Sequence, residues 1–139
     1  MITQRLAVIE EARTWLGTPY HHQGRIKGIG TDCAMILCEV YEKVGVIPFV
    51  DPTPYPPDWH LHRDSERYMG WLYEYCRETD DPQPGDVALW KFGRCFSHGG
   101  IIMDSDHVIH SYLGVGVVIE AFSSSIFANR PVKYFTLWD

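Results

Sequence analysis

The chain has 139 residues, 45% of them hydrophobic and 22% charged, a composition typical of a globular protein with a buried core. This length favours one domain that covers residues 1–139. The formal net charge of −6 argues against a nucleic-acid partner, because phosphate binding needs a concentrated basic surface. No apolar run approaches the length of a membrane span, so we predict no membrane association.

Compartment and redox state are indicated by the N-terminus and by the cysteines. No basic segment followed by a long apolar core is present at the start, so we expect synthesis in the cytoplasm without a signal peptide. The four cysteines show neither CxxC spacing nor a secretory context, and we predict free thiols at positions 33, 38, 76 and 95.

Helical patterns dominate the first half of the chain. Residues 3–15 are predicted to form a helix with an apolar stripe of Leu6, Ala7, Ile9, Ala12 and Trp15. A loop over residues 16–31 leads to a second helix from about Cys33 to Val44, which Gly45 ends. Prolines forbid regular structure over residues 46–60, and a third helix is predicted over 64–77.

Strand-like patterns follow Gly85. Five short β-rich segments are separated by glycines or polar turns, at residues 86–92, 97–103, 107–113, 116–122 and 132–138. Helices followed by a run of strands indicate an α+β fold, with the N-terminal helices packed on an antiparallel sheet of about five strands.

Cys33 is the candidate nucleophile. Thr31 and Asp32 are both good N-cap residues, and they place Cys33 in the first turn of the second helix. Unpaired N–H groups and the helix macrodipole favour negative charge there. We therefore expect a depressed pKa for this thiol, with a cationic His98 as a second cause. The alternative is a buried cysteine that serves as a small apolar residue.

A cysteine nucleophile needs a base, and the base needs a polar group that orients it. His98 lies at the start of a strand and is the candidate base, and His110 on the next strand is the candidate orienting residue. Seven histidines offer several such pairs, and His21 and His22 could suggest a metal site with Cys33. Adjacent residues seldom converge on one ion, and neither His21 nor His22 belongs to an HxH spacing that would support zinc, so we predict no metal or cofactor.

The strands of the two histidines are predicted to pair antiparallel through a turn at residues 104–106. The histidines then share a face only if paired residue numbers add to an even total, such as 208 or 210. We expect an even total. The face toward Cys33 is predicted to carry His98, Ile102, Val108 and His110, and the other face Ile101, Met103 and Ile109.

Five motifs together resemble the NlpC family of cell-wall cysteine peptidases, in order and spacing from about residue 7 to residue 122. They are Trp15-Leu16-Gly17-Thr18-Pro19-Tyr20, Thr31-Asp32-Cys33, Gln83-Pro84-Gly85-Asp86-Val87, Ser97-His98-Gly99-Gly100-Ile101 and Val108-Ile109-His110. The resemblance implies a papain-like fold and a Cys33–His98–His110 triad. It also implies hydrolysis of a peptide bond in peptidoglycan stem peptides, typically between D-glutamate and a diamino acid.

The same resemblance implies roles near the substrate. Tyr20 matches the family tyrosine whose hydroxyl lies near the oxyanion site, and the N–H of Cys33 could supply another donor. Asp32 belongs to the same motif, although Met35 stands where the family has glycine. The nearby cations Arg25 and Lys27 are candidates for binding substrate carboxylates, or else are solvated loop charges.

A narrower resemblance concerns the biological assembly in which the protein acts. His21-His22-Gln23 and Pro56-Pro57-Asp58-Trp59 resemble the branch encoded in phage tail-assembly clusters and gene-transfer agents. This branch implies a prophage or phage-tail protein that has tail proteins as partners and acts on the cell wall from the virion. Two alternatives stay open: a thiol amidase or acyltransferase with another substrate, and a catalytically inert structural tail component.

Overall fold

The fold combines three helices with a six-stranded antiparallel sheet, in a computed structural model that describes residues 2–49 and 67–138. The helices are α1 (Ile2–Arg13), α2 (Met35–Val44) and α3 (Arg67–Tyr75). The strands are β1 (Arg25–Ile26), β2 (Gly30–Thr31), β3 (Arg77–Glu78), β4 (Val87–Phe92), β5 (Cys95–Ile102), β6 (His107–Tyr112), β7 (Gly116–Ala121) and β8 (Val132–Thr136). The predicted α+β class and the five predicted strands are confirmed.

The large sheet has the strand order β3-β8-β4-β5-β6-β7. Its first strand, β3, was not predicted, because Arg77 falls at the end of the predicted third helix and Glu78 in the polar stretch that follows. The predicted loop 16–31 contains the short β1–β2 hairpin, and most of the proline-rich stretch 46–60 lies outside the described residues. No helix in the described part of the chain is long and apolar enough to cross a membrane.

Helix α1 and the turn that follows it pack on the sheet through Val8, Ala12 and Trp15, which keep the helical period. The prediction was wrong for Leu6, which is 56% exposed. The face of the helix is set by Arg5, whose guanidinium donates to the buried Asp86 carboxylate at 2.8 Å. Residues 5, 8, 12 and 15 are spaced three or four apart and share one face of the helix. Position 6 does not belong to that series, so Leu6 points away from the sheet.

Two apolar clusters lie on the two sides of the sheet. The helix-side core joins α1 and α2 to Ile101 and Ile109, and it includes Cys33. The outer core consists of Ala88, Trp90, Ile102, Val108 and Phe127. All four cysteines are free thiols, as predicted.

The β5–β6 register confirms one prediction. Ile101 pairs with Ile109 and Ile102 with Val108, so the paired numbers add to 210. The turn between the strands lies at 104–106, where the Asp104 carboxylate accepts the N–H of Asp106 at 2.8 Å. The even total places the His98 and His110 side chains on one face of the sheet.

The face predicted for Cys33 was wrong. Ile101, Met103 and Ile109 share the helix-side core with Cys33, whereas Ile102 and Val108 lie in the outer core. Both rows along β5 and β6 are apolar, so hydrophobic alternation could not show which one the helix covers. Cys33 therefore reaches β5 from the helix side, and the two histidine rings lie against Phe127 of the outer core.

Candidate active site

The position of Cys33 is fixed by its neighbour Asp32. The Asp32 Oδ1 atom accepts the N–H groups of Ala34 at 3.1 Å and Met35 at 2.9 Å, and Oδ2 accepts the N–H of Gln23 at 2.7 Å. Of the two predicted N-cap residues, Asp32 is the one that caps α2. Cys33 lies in the turn between this cap and the helix.

The Cys33 sulfur contacts the main chain on both sides of His98. The Sγ atom lies 3.6 Å from the carbonyl oxygen of Ser97, and the N–H of Gly99 is directed at the thiol. The residue is only 6% exposed. The structure thus brings the candidate nucleophile to the strand position that carries the candidate base.

His98 and His110 form a direct hydrogen bond. The Nε2 atom of His98 and the Nδ1 atom of His110 are 2.7 Å apart, and the two ring planes are nearly perpendicular. Gly100 permits this approach, since a Cβ there would lie 2.7 Å from the Val108 side chain and 2.9 Å from the Ile109 carbonyl. The predicted neighbourhood of the two histidines is present, and the Nδ1 atom of His98 is the second ring nitrogen available for proton exchange.

An aromatic wall surrounds the histidine pair. Phe127 stacks on Trp90 with 3.9 Å between ring centroids, and its ring lies 5.1 Å from that of His110. Phe92 and Tyr112 flank His98 at 4.9 and 5.6 Å. This wall keeps water from the pair. The sequence analysis did not include Phe127 in the site, because it lies in a turn segment far along the chain from both histidines.

The predicted depression of the Cys33 pKa was wrong. Burial raises the pKa of this thiol well above its ordinary range, and the neighbouring Asp32 carboxylate raises it further. The N–H groups of Gly99 and of Cys33 itself act in the opposite direction with smaller effect. Asp32 also occupies the N–H groups of Ala34 and Met35, two of the free donors on which the expectation rested. The surroundings of Cys33 therefore favour the protonated thiol.

Tyr20 lies close to the candidate nucleophile. Its backbone forms a parallel bridge with Thr31, two residues before Cys33. Burial raises the pKa of its hydroxyl, and the charges of Cys33 and Asp32 contribute in the same direction. The hydroxyl keeps its proton at neutral pH and is available as a hydrogen-bond donor.

The two loop cations are already paired within the protein. Arg25 Nη2 lies 2.7 Å from a carboxylate oxygen of Glu39, and Lys27 Nζ lies 2.9 Å from one of Glu11. Their charges are largely compensated by these carboxylates, so the geometry lends no support to the predicted binding of anionic substrate.

Met35 is fully buried in the helix-side core. Its bulk fills space in the core beneath α2. The described residues contain no group of three or more histidine, cysteine or acidic side chains that could hold a metal ion.

One polar neighbour of the histidine pair was missed by the sequence analysis. The Glu120 Oε1 atom lies 3.7 Å from Nε2 of His110. The strand pattern of the sequence could have indicated this residue. Strand β7 follows β6 through a short turn, and their pairing determines which β7 side chains share the face of His110.

The family model for NlpC/P60 matches residues 17–136, and this chain belongs to the NlpC/P60 family. No curated protein sequence matches it. Among solved structures, the NlpC/p60 domain of the peptidoglycan hydrolase SagA is 18% identical with a TM-score of 0.60, over 93% of this chain and 96% of that one.

Two further solved structures share this fold. An NlpC/P60 family protein from Bacillus cereus is 20% identical with a TM-score of 0.66, over 93% of this chain but 39% of that protein. The peptidoglycan hydrolase RipB from Mycobacterium tuberculosis is 18% identical with a TM-score of 0.64, over 99% of this chain and 66% of that one.

The protonated state of Cys33 can be tested by alkylation. We expect its labelling by iodoacetamide to keep accelerating as the pH rises beyond the ordinary thiol pKa of about 8.5, because the raised pKa keeps the thiolate scarce. Labelling would be followed by peptide mapping, with urea-unfolded protein as the control for an ordinary thiol. A rate that is already at its plateau in mild acid would show a depressed pKa instead.

The burial of His110 should make the fold sensitive to acid. Burial lowers the pKa of His110 from 6.5 to about 4, against a smaller opposing effect of Glu120. Between these values the unfolded chain binds more protons than the folded one. The free energy of unfolding should therefore fall by about 3 kcal/mol as the pH falls through this window.

Urea unfolding at a series of pH values measures this loss. We expect His110→Gln to lose less stability than the unmodified protein between the two pKa values. His21→Gln, at an exposed histidine, is the control and should keep the unmodified slope. Parallel profiles for the unmodified protein and His110→Gln would contradict the assignment.

Proposed function

We propose that the protein is a cysteine peptidase that cleaves a peptide bond in peptidoglycan stem peptides. The observation that carries the proposal is the placement of the Cys33 sulfur against the main chain that flanks His98, together with the 2.7 Å bond from His98 to His110. Membership of the NlpC/P60 family supports the substrate class, since SagA and RipB are peptidoglycan hydrolases. A cut between D-glutamate and a diamino acid is the form that the sequence motifs favour.

The reaction begins from a neutral site. As the Cys33 sulfur attacks the substrate carbonyl carbon, its proton passes to Nδ1 of His98, and the C–S bond forms while the carbonyl π bond opens. His110 accepts the hydrogen bond from Nε2 of His98 and stabilises the imidazolium. His98 then returns the proton to the leaving amine, and the C–N bond breaks to give a thioester on Cys33. A water molecule, activated by His98, hydrolyses that thioester.

The developing oxyanion is stabilised by donors near Cys33. The Tyr20 hydroxyl keeps its proton because burial raises its pKa, and the backbone N–H of Cys33 points toward its own sulfur. Both groups lie on the substrate side of the nucleophile in this proposal. A donor held in place before the reaction needs little reorganisation, which is why such groups lower the barrier.

Association with a phage tail is part of the proposal and rests on sequence alone. Its support is the resemblance at His21-His22-Gln23 and at residues 56–59, of which the second stretch lies outside the described residues. In such a setting the tail would carry the enzyme to the wall, and tail proteins would be its partners.

Product analysis tests the reaction. We expect purified peptidoglycan fragments, incubated with the protein and analysed by mass spectrometry, to yield products of a single cut in the stem peptide. Cys33→Ala should lower the rate by at least about a hundredfold, because it removes the sulfur that forms the thioester in the proposed reaction. The fold should survive, since the two side chains are similar in size.

Cys38→Ala is the matched control, because Cys38 lies on α2, which begins two residues after Cys33, and outside the site. It should keep the unmodified rate. Cleavage of small amides but not of peptidoglycan would favour an amidase or acyltransferase. Peptidoglycan fragments that stay intact after incubation with the folded, unmodified protein would favour a structural tail component and contradict the proposal.

A further inference from the structure

The histidine pair continues to a third adjacent strand. His110 on β6 pairs directly with Val118 on β7, and Val108 pairs with Glu120. Glu120 is therefore the diagonal neighbour of His110 and points to the same face of the sheet. The side chains of His98, His110 and Glu120 form a row across β5, β6 and β7.

The far nitrogen of His110 faces Glu120. His110 is fully buried, and its Nε2 atom has no hydrogen-bond partner among the described residues. The Glu120 carboxylate lies 3.7 Å from this nitrogen, and its side chain is 31% exposed. A small rotation of Glu120 would close the gap to a hydrogen bond, which a buried ring nitrogen needs.

The direction of the proton follows from this contact. A carboxylate only accepts hydrogen bonds, so the His110 nitrogen that faces it must carry the proton. Neutral His110 then has a bare Nδ1 atom, and the 2.7 Å contact requires His98 to donate from Nε2. The proton of neutral His98 is thus on Nε2, which leaves its Nδ1 atom bare and able to take the thiol proton.

We propose that Glu120 is a positioning residue that sets the tautomers of His110 and His98 and so keeps His98 ready to act as the base. Glu120 acts through His110 and does not touch the substrate. The expected effect of Glu120 on turnover rests on the proposed function. Its expected effect on the histidine tautomers does not, because the tautomers can be observed without substrate.

Substitution of Glu120 tests the turnover. Glu120→Leu removes the acceptor, so His110 can carry its proton on Nδ1 and force His98 into the unproductive tautomer. We expect kcat to fall by at least about tenfold with little change in KM, as for loss of an interaction that matters in the transition state. Glu120→Gln, which keeps the shape but can also present an NH2 group, should give a smaller fall. Glu10→Gln, at an exposed glutamate on α1, is the charge-matched control and should keep the unmodified kcat.

A second measurement separates positioning from a structural role. In protein with ¹⁵N-labelled histidine near neutral pH, we expect NMR shifts to show protons on Nε2 of both His98 and His110. The Leu variant should populate Nδ1-protonated forms of both, and the Gln variant a smaller fraction. If Glu120→Leu does not fold, the Gln variant still decides.

The two measurements also separate this inference from the proposed function. Unchanged tautomers in the variants would overturn the inference, even if kcat fell, and so would an unmodified kcat in Glu120→Leu. If the protein does not cleave peptidoglycan at all, the proposed function fails, while the NMR result still confirms or refutes the role of Glu120.

Discussion

The pairing of β5 with β6 determines where the polar groups of the site lie. Paired numbers that add to 210 put His98 and His110 on one face and close enough for the 2.7 Å hydrogen bond. A shift by one residue would turn the His110 ring to the other face, away from His98. Gly100 allows this approach, since any side chain there would meet the main chain and side chains of β6. The contact with β7 then adds Glu120 by the same rule.

Burial disfavours charge on two groups of this site. It raises the pKa of the Cys33 thiol and lowers that of His110 to about 4, so neither group is charged near neutral pH. A preformed thiolate would also lie beside the Asp32 carboxylate, which accepts the N–H groups of Ala34 and Met35 at the start of α2. In the proposed reaction the charge separation would therefore take place in the transition state, where His98, His110 and the oxyanion donors can stabilise it together.

Local chemistry made much of this predictable from the sequence. Asp32 as a cap and the turn at 104–106 follow from residue types and short spacings, and the even register follows from the requirement that His98 and His110 meet. The rest depends on long-range packing. Which face α2 covers could not be read from adjacent Ile101 and Ile102, both apolar, and the pKa of Cys33 depends on a burial that no spacing reveals. Glu120 was missed because its place beside the histidine pair becomes visible only when the β5–β6 register is combined with the β6–β7 register.

Capture of the covalent intermediate tests the central claim, that Cys33 is the nucleophile of this site. The protein would be mixed with a soluble peptidoglycan stem peptide, quenched in acid during turnover and analysed by intact-protein mass spectrometry and peptide mapping. The account predicts an added mass equal to the N-terminal part of the cleaved stem, on the peptide that contains Cys33. Turnover with no such adduct, or an adduct on Cys38, Cys76 or Cys95, would contradict it.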